Sequence, residues 1–274
     1  MTINCKGELI DLSSPKVMGI INTTPNSFYA ESRKISKIDI LKQVEQMLKD
    51  GADFIDVGGY STPPGATKVE EAEELQRVLP AVENILKNFP ETLISVDTFR
   101  TKVAEESIEA GAAIINDISA GNLDPKMMKT VAKHQVPYIM MHMRGTPQTM
   151  KDLNQYEDLV QDILFYFSEK INTARTLGIN DLIIDPGFGF AKNISQNFEL
   201  LSKMELFKTL ELPILAGLSR KSLIYKTLNT SAQEALNGTT FLNTIALSKG
   251  ASILRVHDVK EAVECTKLYA ELNK

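Results

Sequence analysis

Short apolar runs alternate with longer amphipathic segments along the whole chain of 274 residues. The short runs are rich in β-branched residues, as is typical of strands that are buried on both faces. Their alternation with helical segments predicts parallel strands joined by crossover helices. Eight strands are predicted, over residues 17–21, 54–57, 93–96, 113–115, 138–141, 182–184, 214–216 and 253–256.

The segments between these strands have helical periodicity. In residues 38–48, for example, apolar positions recur every three or four residues, which gives a helix one buried stripe. Helices are predicted over residues 37–49, 69–88, 101–110, 125–134, 152–177, 195–208, 232–249 and 259–273. Eight such units in a chain of this length favour a single (β/α)8 TIM barrel domain over residues 1–274, with an open doubly wound sheet as the alternative.

Composition narrows the range of partners. Hydrophobic residues make up 43% of the chain and charged residues 24%, so a large core is expected. The formal net charge of −5 argues against nucleic acid, because binding to the phosphate backbone depends on clustered Lys and Arg. We find neither a signal peptide nor an apolar run long enough to span a bilayer, so we expect a cytoplasmic protein without a membrane partner.

Polar residues follow one predicted strand after another. In a (β/α)8 barrel the carboxyl ends of the strands form the functional face. Asp or Asn at such a position can instead cap a helix or close a turn, and a lone His257 can be a neutral structural residue. Together, carboxylates and an amide suit the edge of a planar nitrogen heterocycle, and cations suit a phosphate. The residues on this rim include Asn22, Asp97, Asn116, Asp185, Ser219, Lys221, Arg255 and His257.

Eight segments near the strand ends are more specific. They are MGIINTTPNSF at 18–28, DVGGYSTPPGA at 56–66, SVDTFR at 95–100, INDISAG at 115–121, MMHMRGTPQTM at 140–150, DPGFGF at 185–190, GLSRKS at 217–222 and RVHD at 255–258. In this order the chain resembles the dihydropteroate synthase family from residue 18 to about residue 263. The resemblance implies a Mg²⁺-assisted transferase of folate synthesis. Such an enzyme joins 6-hydroxymethyl-7,8-dihydropterin pyrophosphate to 4-aminobenzoate and releases pyrophosphate.

The resemblance also implies roles for individual residues. Asp97 is the expected catalytic residue, because an anionic pocket around it would stabilise the cationic pterin methylene that is left when pyrophosphate departs. The implied pterin ligands are Asp97, Asn116, Met140, Asp185, Phe190 and Lys221; Asn22 would meet both Mg²⁺ and pyrophosphate, Arg255 and His257 would bind pyrophosphate, and Thr62 and Ser219 would flank 4-aminobenzoate. A homodimer and sensitivity to sulfonamides are further implications.

Two loops depart from the family pattern. Pro63 stands where the family usually has an arginine, and Asn26 stands where it usually has an aspartate. These changes leave open a non-catalytic, pterin-binding paralogue. A pterin-dependent methyltransferase on the same barrel is the other alternative, although such an enzyme would have no need of Arg255 and His257 to bind pyrophosphate.

Overall fold

The computed structural model describes residues 1–23, 37–60 and 69–272. Within these residues, eight parallel strands form one sheet and an antiparallel hairpin precedes it. The hairpin strands are β1 (Thr2–Cys5) and β2 (Glu8–Asp11); the sheet strands are β3 (Lys16–Asn22), β4 (Phe54–Gly58), β5 (Ile94–Asp97), β6 (Ile114–Asp117), β7 (Tyr138–Met141), β8 (Leu182–Asp185), β9 (Leu215–Ala216) and β10 (Ile253–Val256).

The sheet closes into a barrel. Its hydrogen-bonded order is β8-β7-β6-β5-β4-β3-β10-β9. A parallel bridge between Ile184 and Ile214 joins β8 to the start of β9, and the Ile184 amide donates to the Pro213 carbonyl at 3.0 Å. The predicted TIM barrel is therefore confirmed, and the open doubly wound sheet is wrong.

Helices follow the strands and surround the barrel. They are α1 (Lys37–Asp50), α2 (Glu71–Asn88), α3 (Thr101–Glu109), α4 (Met127–His134), α5 (Leu159–Thr176), α6 (Ile194–Ser202), α7 (Ser222–Thr227), α8 (Leu236–Ser248) and α9 (Val259–Leu272). All eight predicted strands are present. The β1–β2 hairpin and α7 were not predicted from the sequence. Helix α5 begins seven residues later than predicted, because Asp158 caps it by accepting from the Val160 and Gln161 amides.

Side chains of the barrel strands alternate between the interior and the helix layer, as the twofold period of a strand requires. The interior layer at the amino end is apolar and meets Ile3, Cys5 and Leu12 from the hairpin region. Its barrel members are Met18, Phe54, Ile114, Ile139, Ile183, Leu215 and Ile253. Two residues further along the strands the interior becomes polar at Asp56, Asn116, Asp185 and Arg255. Among the described residues, no helix is both long and apolar enough to cross a membrane.

Candidate active site

Arg255 lies at the centre of the polar end of the barrel. Its Nε donates to Asp56 Oδ2 at 2.6 Å, and its Nη2 donates to Asp97 Oδ2 at 2.7 Å. Asn116 Nδ2 donates to the same Asp56 oxygen at 3.1 Å. Four strands, β4, β5, β6 and β10, thus contribute one side chain each to a single network. Buried charges are costly unless they are paired, so each charged side chain of this network depends on its partners to remain buried.

The network still has an unused acceptor. Asp56 is fully buried, and its Oδ1 has no hydrogen-bond partner. Burial raises the pKa of Asp97, and nearby Arg255 opposes this rise. Burial would lower the pKa of Arg255, but the carboxylates of Asp56 and Asp97 outweigh it and raise this pKa above its usual value. A buried acceptor without a partner is a place where the N–H group of a ligand can bind.

Asp185 and Lys221 form a second charged region on the neighbouring side of the barrel. Lys221 Nζ donates to the Phe188 carbonyl at 2.5 Å and lies 5.2 Å from the centroid of the Phe190 ring. Burial lowers the pKa of Lys221 to about 8, and the charge of Asp185 opposes this change. Burial raises the pKa of Asp185, and Lys221 opposes that rise. A flat aromatic ring, a carboxylate and an ammonium therefore lie together.

Ser219 and His257 form a pair on the loops after β9 and β10. Their side chains lie 3.0 Å apart, from Ser219 Oγ to His257 Nδ1, and the His257 amide donates to the same hydroxyl oxygen at 3.2 Å. Burial lowers the pKa of His257 to about 4, and the charge of Arg255 adds to this effect. His257 is thus neutral at pH 7. If the Ser219 hydroxyl donates to Nδ1, the imidazole proton is on Nε2. The protonated imidazole, which could bind pyrophosphate as a cation, is therefore not the resting form.

Arg220, between Ser219 and Lys221, has a positive φ of 54°. Its guanidinium pairs with Asp258 through contacts of 2.9 Å and 2.8 Å, and its amide donates to Thr239 Oγ1 at 3.0 Å. A left-handed conformation is costly for a residue with a side chain, so it persists only where its surroundings enforce it. The ion pair with Asp258 holds the turn that carries Ser219 and Lys221.

Met140 packs in the main core rather than in the cluster that contains Phe190, which argues against its predicted contact with the pterin. Its side chain is buried in the main core cluster, whereas the next residue, Met141, belongs to the small apolar cluster that also contains Met143, Met150 and Phe190. The reason is the alternation of side chains along β7, which sends neighbouring residues to opposite faces. Met141 is the methionine of β7 that shares a cluster with Phe190.

The structure brings most of the other predicted residues to one face. Asp97, Asn116, Asp185, Lys221 and Arg255 are linked by direct contacts or by mutual charge effects. Asn22 ends β3 and pairs in register with Gly58, so it reaches the same rim. Thr62, Asn26 and Pro63 lie outside the described residues. Asp56 was overlooked, although it stands two residues after Phe54, where alternation along the strand returns to the interior.

Both borders of the undescribed segment 61–68 are held by Arg100. Its guanidinium donates to the Val69 carbonyl and to Glu74 Oε2, which lies at 2.6 Å. It also lies 5.4 Å from the centroid of the Tyr60 ring. Burial raises the pKa of Glu74, and a hydrogen bond from Thr98 opposes that rise. This buried pair therefore positions residues 60 and 69.

Candidate metal ligands occur at two places in the described chain. Glu105, Glu109 and His134 present side-chain atoms within 4.8 Å of one another. Glu105 is already paired with Lys133 at 2.8 Å, and His134 ends α4 shortly before β7 begins, which places the group at the amino end of the barrel. Asn22 lies at the polar end instead, and its amide oxygen is the kind of hard ligand that Mg²⁺ accepts.

Comparison with known proteins is consistent with this geometry. Residues 18–257 match the family described as pterin binding enzyme. The chain is 44% identical to a dihydropteroate synthase of Escherichia coli K12 over 98% of this chain and 95% of that one. A crystal structure of the Yersinia pestis dihydropteroate synthase with a sulfonamide drug complex has a TM-score of 0.95 at 41% identity, with coverage of 100% and 99%.

A further solved structure concerns a second ligand. The Xanthomonas albilineans dihydropteroate synthase with 4-aminobenzoic acid has a TM-score of 0.92 at 35% identity, with coverage of 99% of this chain and 98% of that one. Relatives of this similarity over nearly the whole chain distinguish a synthase from the methyltransferase alternative. The chain belongs to the pterin-binding enzyme family and, within it, to the dihydropteroate synthases, the transferases of folate synthesis.

Proposed function

We propose that the polar end of this barrel binds 6-hydroxymethyl-7,8-dihydropterin pyrophosphate and transfers its methylene to the amine of 4-aminobenzoate. The observation that carries the proposal is the buried row of carboxylates, Asp56, Asp97 and Asp185, interleaved with Arg255 and Lys221. Such a row can pair with the N–H groups of a heterocycle and oppose positive charge on its methylene. Buried ion pairs contribute little net stability, so these charged residues are better explained by binding than by stabilisation of the fold.

Pterin recognition is assigned to groups that remain able to bond. Asp56 Oδ1 is a buried acceptor without a partner, and Asp185 offers carboxylate oxygen close to Lys221. Asn116 and Lys221 add donors, and Phe190 offers a ring face. A pterin has N–H donors and ring acceptors on one flat edge, so this arrangement of hydrogen-bonding groups matches it. Met141, in the same apolar cluster as Phe190, replaces Met140 as the proposed apolar neighbour.

Carbon–oxygen cleavage would be driven by charge stabilisation at both ends of the breaking bond. Asp97 would oppose the positive charge that develops on the pterin methylene. On the leaving side, His257 would donate through Nε2, because Ser219 occupies Nδ1, and Arg255 would attract the pyrophosphate. The bond from methylene carbon to pyrophosphate oxygen breaks with its electron pair on oxygen, and the amine nitrogen then bonds to carbon and loses a proton.

Mg²⁺ is proposed as the cofactor, with Asn22 as its protein ligand. Mg²⁺ binds oxygen, keeps several waters and commonly uses one or two protein groups together with substrate phosphates, and a single amide at the rim fits that habit. Bound there, Mg²⁺ would neutralise part of the charge of pyrophosphate. The cluster of Glu105, Glu109 and His134 lies at the other end of the barrel and is not assigned this role.

The amine substrate is proposed to bind beside Ser219 and Thr62. Support comes from the solved relatives, one described with 4-aminobenzoic acid and one with a sulfonamide drug. An aromatic amine is a neutral nucleophile at pH 7, so orientation next to the methylene would supply much of the acceleration. We therefore expect sulfonamides to compete with 4-aminobenzoate.

The test is pyrophosphate release by purified protein with Mg²⁺ and the dihydropterin pyrophosphate, with and without 4-aminobenzoate, while dihydropteroate is followed by chromatography. Amine-dependent release with a matching amount of dihydropteroate is the expected result. Binding of the pterin without any product would overturn the proposal in favour of the non-catalytic paralogue. In that event, replacing Pro63 by the family's arginine tests whether this departure is the cause.

A homodimer is proposed from two helices that pack together. Phe241 on α8 is 64% exposed and Leu268 on α9 is 68% exposed, and large apolar side chains on neighbouring helices favour a protein contact. Light scattering after gel filtration should give twice the chain mass, and F241E should halve it. A single domain over residues 1–274 and a cytoplasmic location stay predictions.

A further inference from the structure

Lys192 is a buried cation that none of the roles above uses. The residue is 9% exposed and lies two positions after the 187–190 turn. The ammonium contacts three acceptors: the Gly187 carbonyl at 2.9 Å, the Phe190 carbonyl at 2.9 Å and His142 Nδ1 at 3.0 Å. One side chain therefore joins both ends of the 187–190 turn to the loop after β7.

The turn is also held by two backbone donors: the Phe190 amide donates to the Gly187 carbonyl at 3.1 Å, and the Gly189 amide donates to Asn197 Oδ1 at 2.6 Å. Gly187 and Gly189 have positive φ values of 75° and 84°. A Cβ on Gly187 would lie 2.1 Å from the His142 carbonyl oxygen, so the two backbones are in close contact. The His142 amide donates to the Asp185 carbonyl at 3.0 Å, which continues the pairing of β7 with β8. Lys192 adds side-chain hydrogen bonds between the 187–190 turn and the loop after β7.

The same turn carries groups of the pterin site. The Gly187 amide donates to Asp185 Oδ1 at 2.7 Å, which orients that carboxylate. Lys221 Nζ is fixed by the Phe188 carbonyl at 2.5 Å, and Phe190 lies beside it. Displacement of the turn would therefore move the carboxylate, the ammonium and the ring together. No contact between Lys192 and Asp97, Asn116 or Arg255 is found among the described residues, so the effect of Lys192 is confined to this half of the site.

We propose that Lys192 and neutral His142 together position the pterin site, by holding the 187–190 turn so that Asp185, Phe190 and Lys221 face the ligand. In this role Lys192 is a positioning residue, since it acts through the turn. The role requires a donor at the end of a long side chain, which a methionine of similar length lacks. It also requires His142 to accept at Nδ1, which only a neutral imidazole can do.

Charge around the pair supports the geometry. Burial lowers the pKa of His142 well below its usual value, and the charges of Lys192 and Arg144 add to this effect. Burial lowers the pKa of Lys192 to about 7, against the opposing charge of Asp185, and Lys221 and Arg144 lower it further. Loss of a proton above pH 7 leaves two N–H donors for three acceptors. The turn should then loosen while Lys221, with its pKa of about 8, is still largely charged.

The inference rests on the proposed function only where KM is measured. Pterin binding can be measured without turnover, so it tests the role of Lys192 separately. The variants are K192M, which removes the donors, K192R, which keeps them, and K129M, a control at an exposed lysine of α4. Calorimetry with 6-hydroxymethylpterin gives affinity from pH 6 to pH 9, and steady-state assays give KM for each substrate. Thermal melting is recorded for all three variants.

K192M is expected to weaken pterin binding about tenfold or more at pH 6.5, as loss of charged hydrogen bonds implies. KM for the dihydropterin should rise in step, while KM for 4-aminobenzoate stays within about twofold, and K192R should recover most of the affinity. The loss of affinity between pH 6.5 and 7.5 should be smaller in K192M than in the wild type, because only the contribution of Asp97, whose pKa is about 7, remains. Pterin affinity in K192M equal to that in K129M, or weakened binding that K192R does not restore and that tracks melting temperature, would overturn the inference. Absence of dihydropteroate formation by the wild type would instead count against the proposed function.

Discussion

The two ends of the barrel interior are built by the same strands and have opposite character. At the amino end, Phe54 and Ile253 lie in an apolar layer that the β1–β2 hairpin covers. Two residues later on the same strands, Asp56 and Arg255 are a buried ion pair. A Phe or Ile buried in this way stabilises the fold by about 1.5–3 kcal/mol, whereas buried charges recover little more than their own desolvation cost. The apolar end thus stabilises the fold, and the polar end is available for binding and chemistry.

The sharpest way to break this comparison is D97N at the polar end. The substitution keeps the shape and removes the charge that is proposed to oppose the cationic methylene. Turnover should fall by about 10²–10³-fold, the usual effect of losing one electrostatic group in an active site. Single-turnover kinetics measures the loss, and circular dichroism melting checks that the fold remains. Unchanged turnover would remove Asp97 from the mechanism.

The corresponding substitution at the apolar end is F54A, which tests stability instead of turnover. Phe54 is fully buried in the amino-end layer, so its truncation should cost about 3–5 kcal/mol of unfolding free energy. The protein that remains folded should keep its KM values, since the cavity lies away from the substrates. Urea unfolding and kinetics at low temperature give the two numbers. A large rise in pterin KM with little loss of stability would mean that the two ends are not separable.

D56N tests whether Asp56, which was not predicted from the sequence, belongs to the binding site. Its charge pairs with Arg255, and its free Oδ1 is proposed to accept from the pterin. Pterin affinity should fall by about 10–100-fold, the value of a charged hydrogen bond. Stability should change far less than in F54A, because Arg255 keeps Asp97 as a partner. Affinity close to that of the wild type would make Asp56 a purely structural partner of Arg255.

The pH dependence of stability tests the contribution of His257, at the polar end of the barrel. Its pKa of about 4 in the folded protein is below the usual value of 6.5, so the unfolded chain binds more protons between these pH values. The stability contributed by His257 is therefore full above pH 6.5 and is lost as the pH falls towards 4. We expect about 1–3 kcal/mol from this group, measured as the difference between wild type and H257N in urea unfolding at pH 7.5 and 5.

Pyrophosphate should reduce this difference. The anion would favour the protonated imidazole and so raise its pKa towards the usual value. Unfolding curves for wild type at pH 5 with and without pyrophosphate and Mg²⁺ test the point. An identical pH slope in wild type and H257N would show that burial of other groups, rather than His257, sets the acid stability.

The sequence by itself determined the number and order of the barrel strands, because apolar β-branched runs and helical periodicity are local properties. It also located the rim residues, since the carboxyl end of each strand can be found from where the apolar run stops. The β1–β2 hairpin escaped detection because β1 is buried only at alternate residues and β2 is largely exposed, so neither strand forms an apolar run. Met140 was misplaced because a run of two methionines conceals which one faces inward.

Only the tertiary structure decided which charges meet. Asp56 and Arg255 are 199 positions apart, and Lys192 contacts His142 across 50 positions, so no local pattern pairs them. Burial also decided the protonation of His257, which is neutral because water is excluded and the charge of Arg255 lies near it. Sequence periodicity specifies where a side chain points along its own strand. Desolvation and charge pairing depend on what the closed barrel brings opposite it.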